Sequence, residues 1–324
     1  MASKEFEATI AEVLGKLEKN PEWEALFAGY ADYLLKRQES ILARKKLFHE
    51  FPPLRFYLRI SDIKKAESYT LFDVRYRGQS VASMRVCDDK VRIDRTNPNN
   101  GQDFEMTLAI SESVDWRSKE ASELRKHFRD LGGNRRCERE HNIENLLITE
   151  FSKRKSEGKE LIGIQPVKYC GFRFVMKTPL KASEHGHVEY AGRDGDGGGI
   201  DILARTGHGD ATFLTVVEVK NENKPDEPAA YAVEQGIAYA VFLIKLLRSK
   251  SGADWFRLFG FTRQLPEKLK IRVACAMPHN PKGEDDISFA GQRLAVGDDS
   301  IECHYIYFKY DNDTNPLHDF STSL

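Results

Sequence analysis

The residues best suited to chemistry are two carboxylates and a lysine at the ends of neighbouring apolar segments. Glu218-Val219-Lys220 ends the segment TFLTVVEVK, and Asp201 follows three glycines and Ile200. Because side chains alternate along a strand, we expect Glu218 and Lys220 to share one face while Val219 points into a core. A hairpin-like connection between the two segments would bring Asp201 beside Glu218.

Two adjacent carboxylates repel each other and attract a divalent cation. Ligation by oxygen alone suits Mg²⁺, with Mn²⁺ as a substitute and water in the remaining positions. Such an ion acidifies a bound water and stabilises negative charge on a phosphate. Lys220 would then orient the attacking water or offset charge in the transition state. The competing interpretation is an exposed ion pair at a strand end, worth about 0–1 kcal/mol.

Four segments together resemble the PD-(D/E)xK nuclease superfamily. Asp201 followed by Glu218-x-Lys220 resembles the signature itself, and GDGGGIDILA at 195–204 is similar to the Mrr-like restriction endonucleases, in which a glycine-rich turn precedes the aspartate. IENLL at 143–147 resembles the helix that carries the family's first acidic residue. QGIAY at 235–239 resembles the QxxxY motif of RecB-like exonucleases. The resemblance covers roughly residues 138–277, and the chain departs from the pattern in lacking a proline before Asp201.

The resemblance implies a restriction-endonuclease-like α/β fold, a mixed sheet flanked by helices, and metal-dependent hydrolysis of phosphodiester bonds, with DNA favoured over RNA. Asp201, Glu218 and the backbone carbonyl of Val219 would bind Mg²⁺, and Lys220 would position water. Glu144 would support the metal or its water shell. Two further residues, one helical turn apart, would orient the lysine or the nucleic-acid backbone: Gln235 and Tyr239.

Each of the supporting residues has a simpler interpretation. Glu140 lies one helical turn from Glu144 and competes for its role. Gln235 is also explained as a buried amide bonded to the backbone, and Tyr239 as a core aromatic on a long apolar helix. His185 and His187 form an HxH pair near the site, but the zinc-protease pattern HExxH does not occur.

The hydrophobic pattern predicts the elements that must position these residues. Helical spacing covers the first fifty residues, with a break at Asn20-Pro21 and a second helix from there to near the prolines at 52–53. Period-two segments at about 54–94 predict antiparallel strands. A further strand is predicted over about 104–110 and a helix over 118–131. Beyond the predicted domain boundary at Gly132-Gly133-Asn134 come a helix at about 138–156, several strands, a helix at 229–247 and a strand at 271–276. We therefore predict a helical and antiparallel-β accessory domain at 1–133 and the nuclease-like domain at 134–324.

Composition limits the classes of protein that fit. The net charge of −1 means that any nucleic-acid contact must use local basic patches. Five scattered cysteines without a CxxC pair argue against a disulfide framework. No signal peptide or apolar run of about 18 residues is recognisable, which predicts a cytoplasmic protein without membrane contact. A homodimer or a larger restriction, defence or repair assembly is compatible with the sequence. Two other functions stay open: a catalytically silent nucleic-acid-binding or assembly subunit, and a hydrolase of another phosphate ester.

Overall fold

Helices form where apolar residues recur at helical spacing. The computed structural model describes residues 2–49, 51–60, 68–97, 104, 106, 108–131, 139–183, 187–192, 197–223, 228–311 and 316–324. Seven α-helices lie in these ranges: α1 Ala2–Lys19, α2 Glu22–Lys36, α3 Gln38–Arg44, α4 Lys119–Asp130, α5 Arg139–Ser152, α6 Ala229–Arg248 and α7 Gly252–Leu258.

Sixteen strands are described, and most follow the period-two or continuously apolar segments of the sequence. Their bounds are β1 Arg55–Leu58, β2 Tyr69–Tyr76, β3 Gln79–Cys87, β4 Val91–Thr96, β5 Val114–Asp115, β6 Ile164–Pro166, β7 Lys168–Tyr169, β8 Phe172–Phe174, β9 Leu180–Ala182, β10 Val188–Tyr190, β11 Ile202–Thr206, β12 Phe213–Val219, β13 Lys270–Pro278, β14 Arg293–Val296, β15 Asp299–Lys309 and β16 His318–Thr322. The fold is therefore mixed α/β, as predicted at that level.

Two seven-stranded sheets hold fourteen of these strands, and β9 and β10 form a separate antiparallel pair. The first sheet has the order β5-β4-β3-β2-β1-β8-β7 and is antiparallel except for the parallel pair β1 and β8. The second sheet has the order β14-β15-β13-β12-β11-β6, with β16 on β15. In the second sheet β12, β13 and β15 run parallel, and the remaining pairs are antiparallel. In chain order, α5 leads into the antiparallel strands β6, β11 and β12, and α6 then leads into the parallel strand β13.

The first sheet and the main core draw on residues from each side of the predicted boundary. β1 pairs in parallel with β8, with Tyr57 opposite Arg173. One hydrophobic cluster contains residues from Phe6 to Tyr307. The boundary segment 132–134 itself lies outside the described residues, so the division into two domains stays a prediction.

The helix α6 is long and strongly apolar. By length and composition it is long enough to cross a membrane, yet 83% of its apolar window is buried inside the protein. It lies against β12 and β13, and α1 packs on it, where the Thr9 hydroxyl donates a 2.6 Å hydrogen bond to Glu234 Oε1. Burial among neighbours explains its apolar composition.

Two predictions about local structure are wrong. The second helix does not continue to the prolines at 52–53, because it breaks at Arg37. The buried Arg37 guanidinium forms a 2.9 Å ion pair with Asp88 and a 3.3 Å hydrogen bond with Thr70, which ties the break to the first sheet. The described residues of 104–110 form no strand, although the Ile110 N–H donates to the Thr96 hydroxyl at 3.0 Å.

Candidate functional site

The hairpin of β11 and β12 brings Asp201 and Glu218 together. The last registered pair of this hairpin joins Ile202 to Val217, so the next residues toward the strand ends are Asp201 and Glu218. Asp201 Oδ2 accepts a 2.9 Å hydrogen bond from the backbone N–H of Val219. The charge of Asp201 also acts on Glu218, as expected for two carboxyl groups that lie close together. The predicted juxtaposition is therefore present in the structure.

Desolvation and neighbouring acidic charges favour the protonated forms of both carboxyl groups. Desolvation, followed by the charge of Glu144, raises the pKa of Asp201 to about 7. Desolvation and the charge of Asp201 raise the pKa of Glu218 well above its usual value. Only 6% of Glu218 is exposed, so water does little to stabilise its charge. Without a bound cation, this pair holds protons that a carboxylate pair at the surface would release.

The carboxyl pair has an oxygen atom available to bind a cation. Glu218 Oε2 is buried and has no hydrogen-bond partner among the described residues. Because the N–H and C=O of one strand residue point to the same side, the carbonyl of Val219 faces the side on which Asp201 lies. Two carboxylates and one carbonyl form an all-oxygen set of the kind that Mg²⁺ and Mn²⁺ prefer. The residues present therefore fit such an ion.

Lys220 places a positive charge beside the carboxyl pair. It follows the last residue of β12, and its backbone N–H donates a 2.9 Å hydrogen bond to the carbonyl of Ala276 on β13. That bond fixes the start of the side chain at the sheet edge. Its ammonium charge lowers the pKa values of both Asp201 and Glu218, against the effect of burial. Its closeness to both acids agrees with the shared face expected from strand alternation.

The helix α5 supplies further acidic residues to the same place. The side chain of Glu144 is the largest charge acting on the pKa of Asp201, and Glu140 acts on it more weakly. Glu144 is buried and lies 3.6 Å from the Arg75 guanidinium and 3.8 Å from His141 Nδ1. The structure thus brings both predicted candidates near Asp201, with Glu144 exerting the stronger effect.

On α6, Tyr239 lies near the carboxyl pair, and Gln235, one turn earlier, shares its contact with Ala182. Gln235 Nε2 donates a 3.3 Å hydrogen bond to the carbonyl of Ala182, so its amide is bonded to backbone as the simpler interpretation expects. Its Oε1 is buried and has no partner among the described residues. The Ala182 N–H donates to the Tyr239 hydroxyl at 3.5 Å. Burial and the charge of Glu218 raise the pKa of Tyr239, which keeps the phenol neutral.

Close approach explains the glycines before Asp201. A Cβ added to Gly198 would lie 2.8 Å from the Tyr239 hydroxyl, and one added to Gly197 would lie 1.8 Å from the carbonyl of Thr178. The backbone of this turn pairs with the segment before β9, since the Gly198 carbonyl accepts from the Thr178 N–H at 2.9 Å. Asp194 and Asp196, also in this turn, lie outside the described residues.

Arg75, which forms an ion pair with Glu144, was not predicted from the sequence. Arg75 lies on β2 in the first sheet, forms a 2.7 Å ion pair with Asp73 and stacks over the Tyr57 ring at 4.5 Å. The charges of Glu144 and Asp73 outweigh its burial and raise its pKa. The only sequence signal was the alternation of arginines in the period-two strands, which an exposed strand face also explains.

The histidine alternative gains nothing from the geometry. His185 lies outside the described residues, and His187 is exposed. Within the part of the chain that the structure describes, no group of three or more His, Cys, Asp and Glu residues is arranged to hold a metal ion. The candidate set of Asp201, Glu218 and the Val219 carbonyl has only two such side chains.

No family model, curated protein or solved structure matches this chain.

Proposed function

We propose that the chain is a metal-dependent nuclease with a restriction-endonuclease-like fold, and that DNA is its preferred substrate. One observation carries the proposal: the partly buried Asp201 and the buried Glu218 meet at adjoining strand ends beside Lys220. Burying two carboxyl groups in contact destabilises a protein unless they bind something. An exposed ion pair, the competing interpretation, does not need this burial.

The order of the elements supports the same proposal. The superfamily resemblance implies a helix, several strands, a helix and a strand around the signature residues. The chain has α5, the strands β6, β11 and β12, then α6 and β13 in that order. Glu144 comes from α5, Asp201 and Glu218 from the hairpin, and Gln235 and Tyr239 from α6. Residues that resemble separate motifs of the family therefore come from elements that pack together around the hairpin of β11 and β12, which supports the proposal.

Asp201, Glu218 and the Val219 carbonyl would hold the divalent cation. When bound, Mg²⁺ supplies an acidified water and offsets negative charge on the phosphate. Lys220, next to both acids, donates to the attacking water or to a phosphate oxygen. Glu144 accepts hydrogen bonds from water in the same place, and Arg75 holds its orientation. The reaction is phosphodiester hydrolysis, in which water adds to phosphorus and one P–O bond breaks.

The direct test measures cleavage of plasmid, linear duplex and single-stranded DNA and of RNA with Mg²⁺ or Mn²⁺. We expect cleavage that EDTA abolishes and that Lys220→Ala lowers by at least about 100-fold, the scale of losing one positioned charge in a transition state. Glu218→Gln, which preserves shape, should lose both cleavage and Mg²⁺ binding by calorimetry.

The matched control is Lys250→Ala, which removes an exposed lysine near the far end of α6. It should cleave like the unmodified protein. Absence of cleavage on every substrate, or equal rates for Lys220→Ala and Lys250→Ala, would contradict the proposal.

A further inference from the structure

The first sheet carries a row of polar side chains across five strands. In β2 the buried residues alternate with partly exposed ones, which include Asp73 and Arg75. The strand register continues this face from β8 to β4. The row consists of Arg173, Tyr57, Asp73, Ser83 and Arg95, each opposite the next. Because neighbours in a register share a face, these five side chains line one surface of the sheet.

The helix α5 covers one end of this surface. Arg55 donates a 2.8 Å hydrogen bond to the Thr149 hydroxyl, and Arg173 donates to the Ile148 carbonyl at 3.1 Å. Arg75 pairs with Glu144 on the same helix. The helix that bears the acidic site residue is therefore attached to the polar face of the first sheet.

The rest of the surface is an open, basic groove. It consists of two adjoining cavities of about 250 and 320 Å³ that share Arg59, Asp73 and Ser80. Arg75 and Lys177 line the first cavity, and the exposed Arg95 lines the second. Among the lining residues that the structure describes, the acidic one is Asp73, which bonds to Arg75 at 2.7 Å and accepts from the Ser80 hydroxyl. We call this surface the arginine groove.

The arginine groove adjoins the carboxylate pair. The backbone of Lys177 forms a β-bridge with Gly199, two residues before Asp201. The Ile200 N–H donates to the Met176 carbonyl at 2.9 Å, which extends this pairing to the residue that precedes Asp201. At the other side of the cavity, Arg75 lies 3.6 Å from Glu144. These contacts connect the groove lining to the segment that precedes Asp201 and to Glu144.

We infer that the arginine groove binds the phosphate backbone of a nucleic acid and directs it to the carboxylate pair. The chain's overall charge of −1 gives no general attraction for polyanions, so a local excess of basic groups must provide it. Five strands at a spacing of about 4.8 Å give the groove a length of about 19 Å. At an axial spacing of about 3.4 Å per phosphate, that length accommodates roughly five phosphates of one strand. The inference rests on the proposed function, because it names the substrate path of that site.

The experiment separates binding from cleavage. Fluorescence anisotropy in EDTA measures the affinity of the full chain for labelled single-stranded DNA, duplex DNA and single-stranded RNA over a range of salt concentrations. The test variant is Arg59→Gln with Arg95→Gln. The control variant, Lys250→Gln with Arg257→Gln, removes the same charge from exposed positions around the end of α6 and in α7. Lys250 lies fifteen residues beyond Gln235, or about 22 Å along a helix.

We expect the test variant to bind at least about tenfold more weakly than the control variant at low salt. The slope of log affinity against log salt should fall by about 1.8 for duplex or about 1.4 for a single strand, as two lost phosphate contacts require. The preferred nucleic acid is the one with the largest difference. If the double variant unfolds, Arg95→Gln alone, at an exposed position, should show half of the change in slope.

Equal affinity and equal salt slope for the two variants would overturn the inference, and so would absence of binding to every nucleic acid. The two proposals fail separately. Groove-dependent binding without cleavage in Mg²⁺ or Mn²⁺ would overturn the proposed function alone. Cleavage that the Arg59 and Arg95 substitutions leave unchanged would overturn the groove alone.

Discussion

At the scale of single residues, the carboxyl pair opposes folding and favours ligand binding. Asp201 and Glu218 lose water on folding, and a neighbouring acidic charge raises each pKa further, that of Glu144 for Asp201 and that of Asp201 for Glu218. The hydrogen bond from the Val219 N–H offsets only part of this, because Glu218 Oε2 keeps no partner among the described residues. Residues that destabilise the free protein in this way are expected at sites that bind.

One consequence is a gain in stability when a charge is removed. The folded pKa of Asp201, about 7, exceeds its unfolded value of 3.8. The group therefore favours folding fully below pH 3.8, and that contribution is lost as the pH rises through about 7. Asp201→Asn keeps an acceptor for Val219 but carries no charge. In EDTA at pH 8 it should stabilise the protein by about 1–3 kcal/mol in urea unfolding, with a smaller gain at pH 5.

The control for this measurement is Asp210→Asn, at an exposed position after β11. It should change the free energy of unfolding by less than about 0.5 kcal/mol at either pH. Destabilisation by Asp201→Asn at pH 8 would contradict the electrostatic account.

A second consequence concerns metal binding and pH. A cation must displace the protons that the pair holds, so affinity falls once Asp201 is protonated below about pH 7. We expect the Kd for Mn²⁺, measured by calorimetry, to rise about five- to sixfold between pH 7 and pH 6, as displacement of one proton of pKa about 7 requires. Proton release on binding, seen as a dependence of the heat on buffer, should accompany it. A Kd that stays constant from pH 8 to 6 would refute this linkage.

At the scale of elements, the sequence predicted the helices and strands whose formation depends on residues close together in the chain. The strands of 54–94, the hairpin at Asp201 and Glu218, and the helices α4, α5 and α6 follow from periodicity and capping within one segment. The meeting of Arg75 with Glu144 and the pairing of β1 with β8 join segments far apart, which no local pattern encodes. For the same reason the groove lining could not be assembled from the sequence. The break at Arg37 depends on a distant partner, Asp88, and was missed too.

The close packing of α6 on the second sheet gives an element-scale prediction. A Cβ at Gly236 would lie 2.5 Å from Val273 Cγ1, so Gly236→Ala forces the helix from the sheet. Overpacking should destabilise by about 1–3 kcal/mol, measured in urea. Gly29→Ala in α2 is the matched control, since a Cβ there meets nothing within 4 Å. It should stabilise by up to about 1 kcal/mol through helix propensity.

Adding Val273→Ala to Gly236→Ala should recover part of the lost stability, because it removes the clashing methyl groups. If Gly236→Ala were as stable as Gly29→Ala, the close contact between α6 and β13 would be wrong.

At the scale of the whole molecule, the elements before and after residue 133 share the first sheet and the main hydrophobic core. The first sheet takes β7 and β8 from the later part of the chain, and α1 and α2 pack on α6 and α7. Trp23 and Phe27 contact the Phe242 ring at centroid distances of 5.6 and 4.9 Å. Removing residues 1–133 would expose this aromatic cluster and leave β8 without β1, its parallel neighbour.

We therefore expect a fragment of residues 134–324 to lack cooperative urea unfolding and a near-ultraviolet circular dichroism signal, while the full chain shows both. The physical reason is the loss of packing around α6, whose apolar surface would face water. The full chain carrying Gly29→Ala serves as a folded reference. A fragment that unfolds cooperatively would instead support the predicted division into domains at 133.

The hydrogen bond between Thr9 and Glu234 spans 225 residues of sequence. During synthesis at about 5–20 residues per second, α1 emerges some 11–45 s before its partner helix. Throughout that interval Phe6, Val13 and Leu17, buried in the finished protein, have no α6 to cover them. Contacts of such high sequence separation also slow folding after release. The placement of α1 against α6 therefore leaves these apolar side chains exposed to water until α6 has been synthesised.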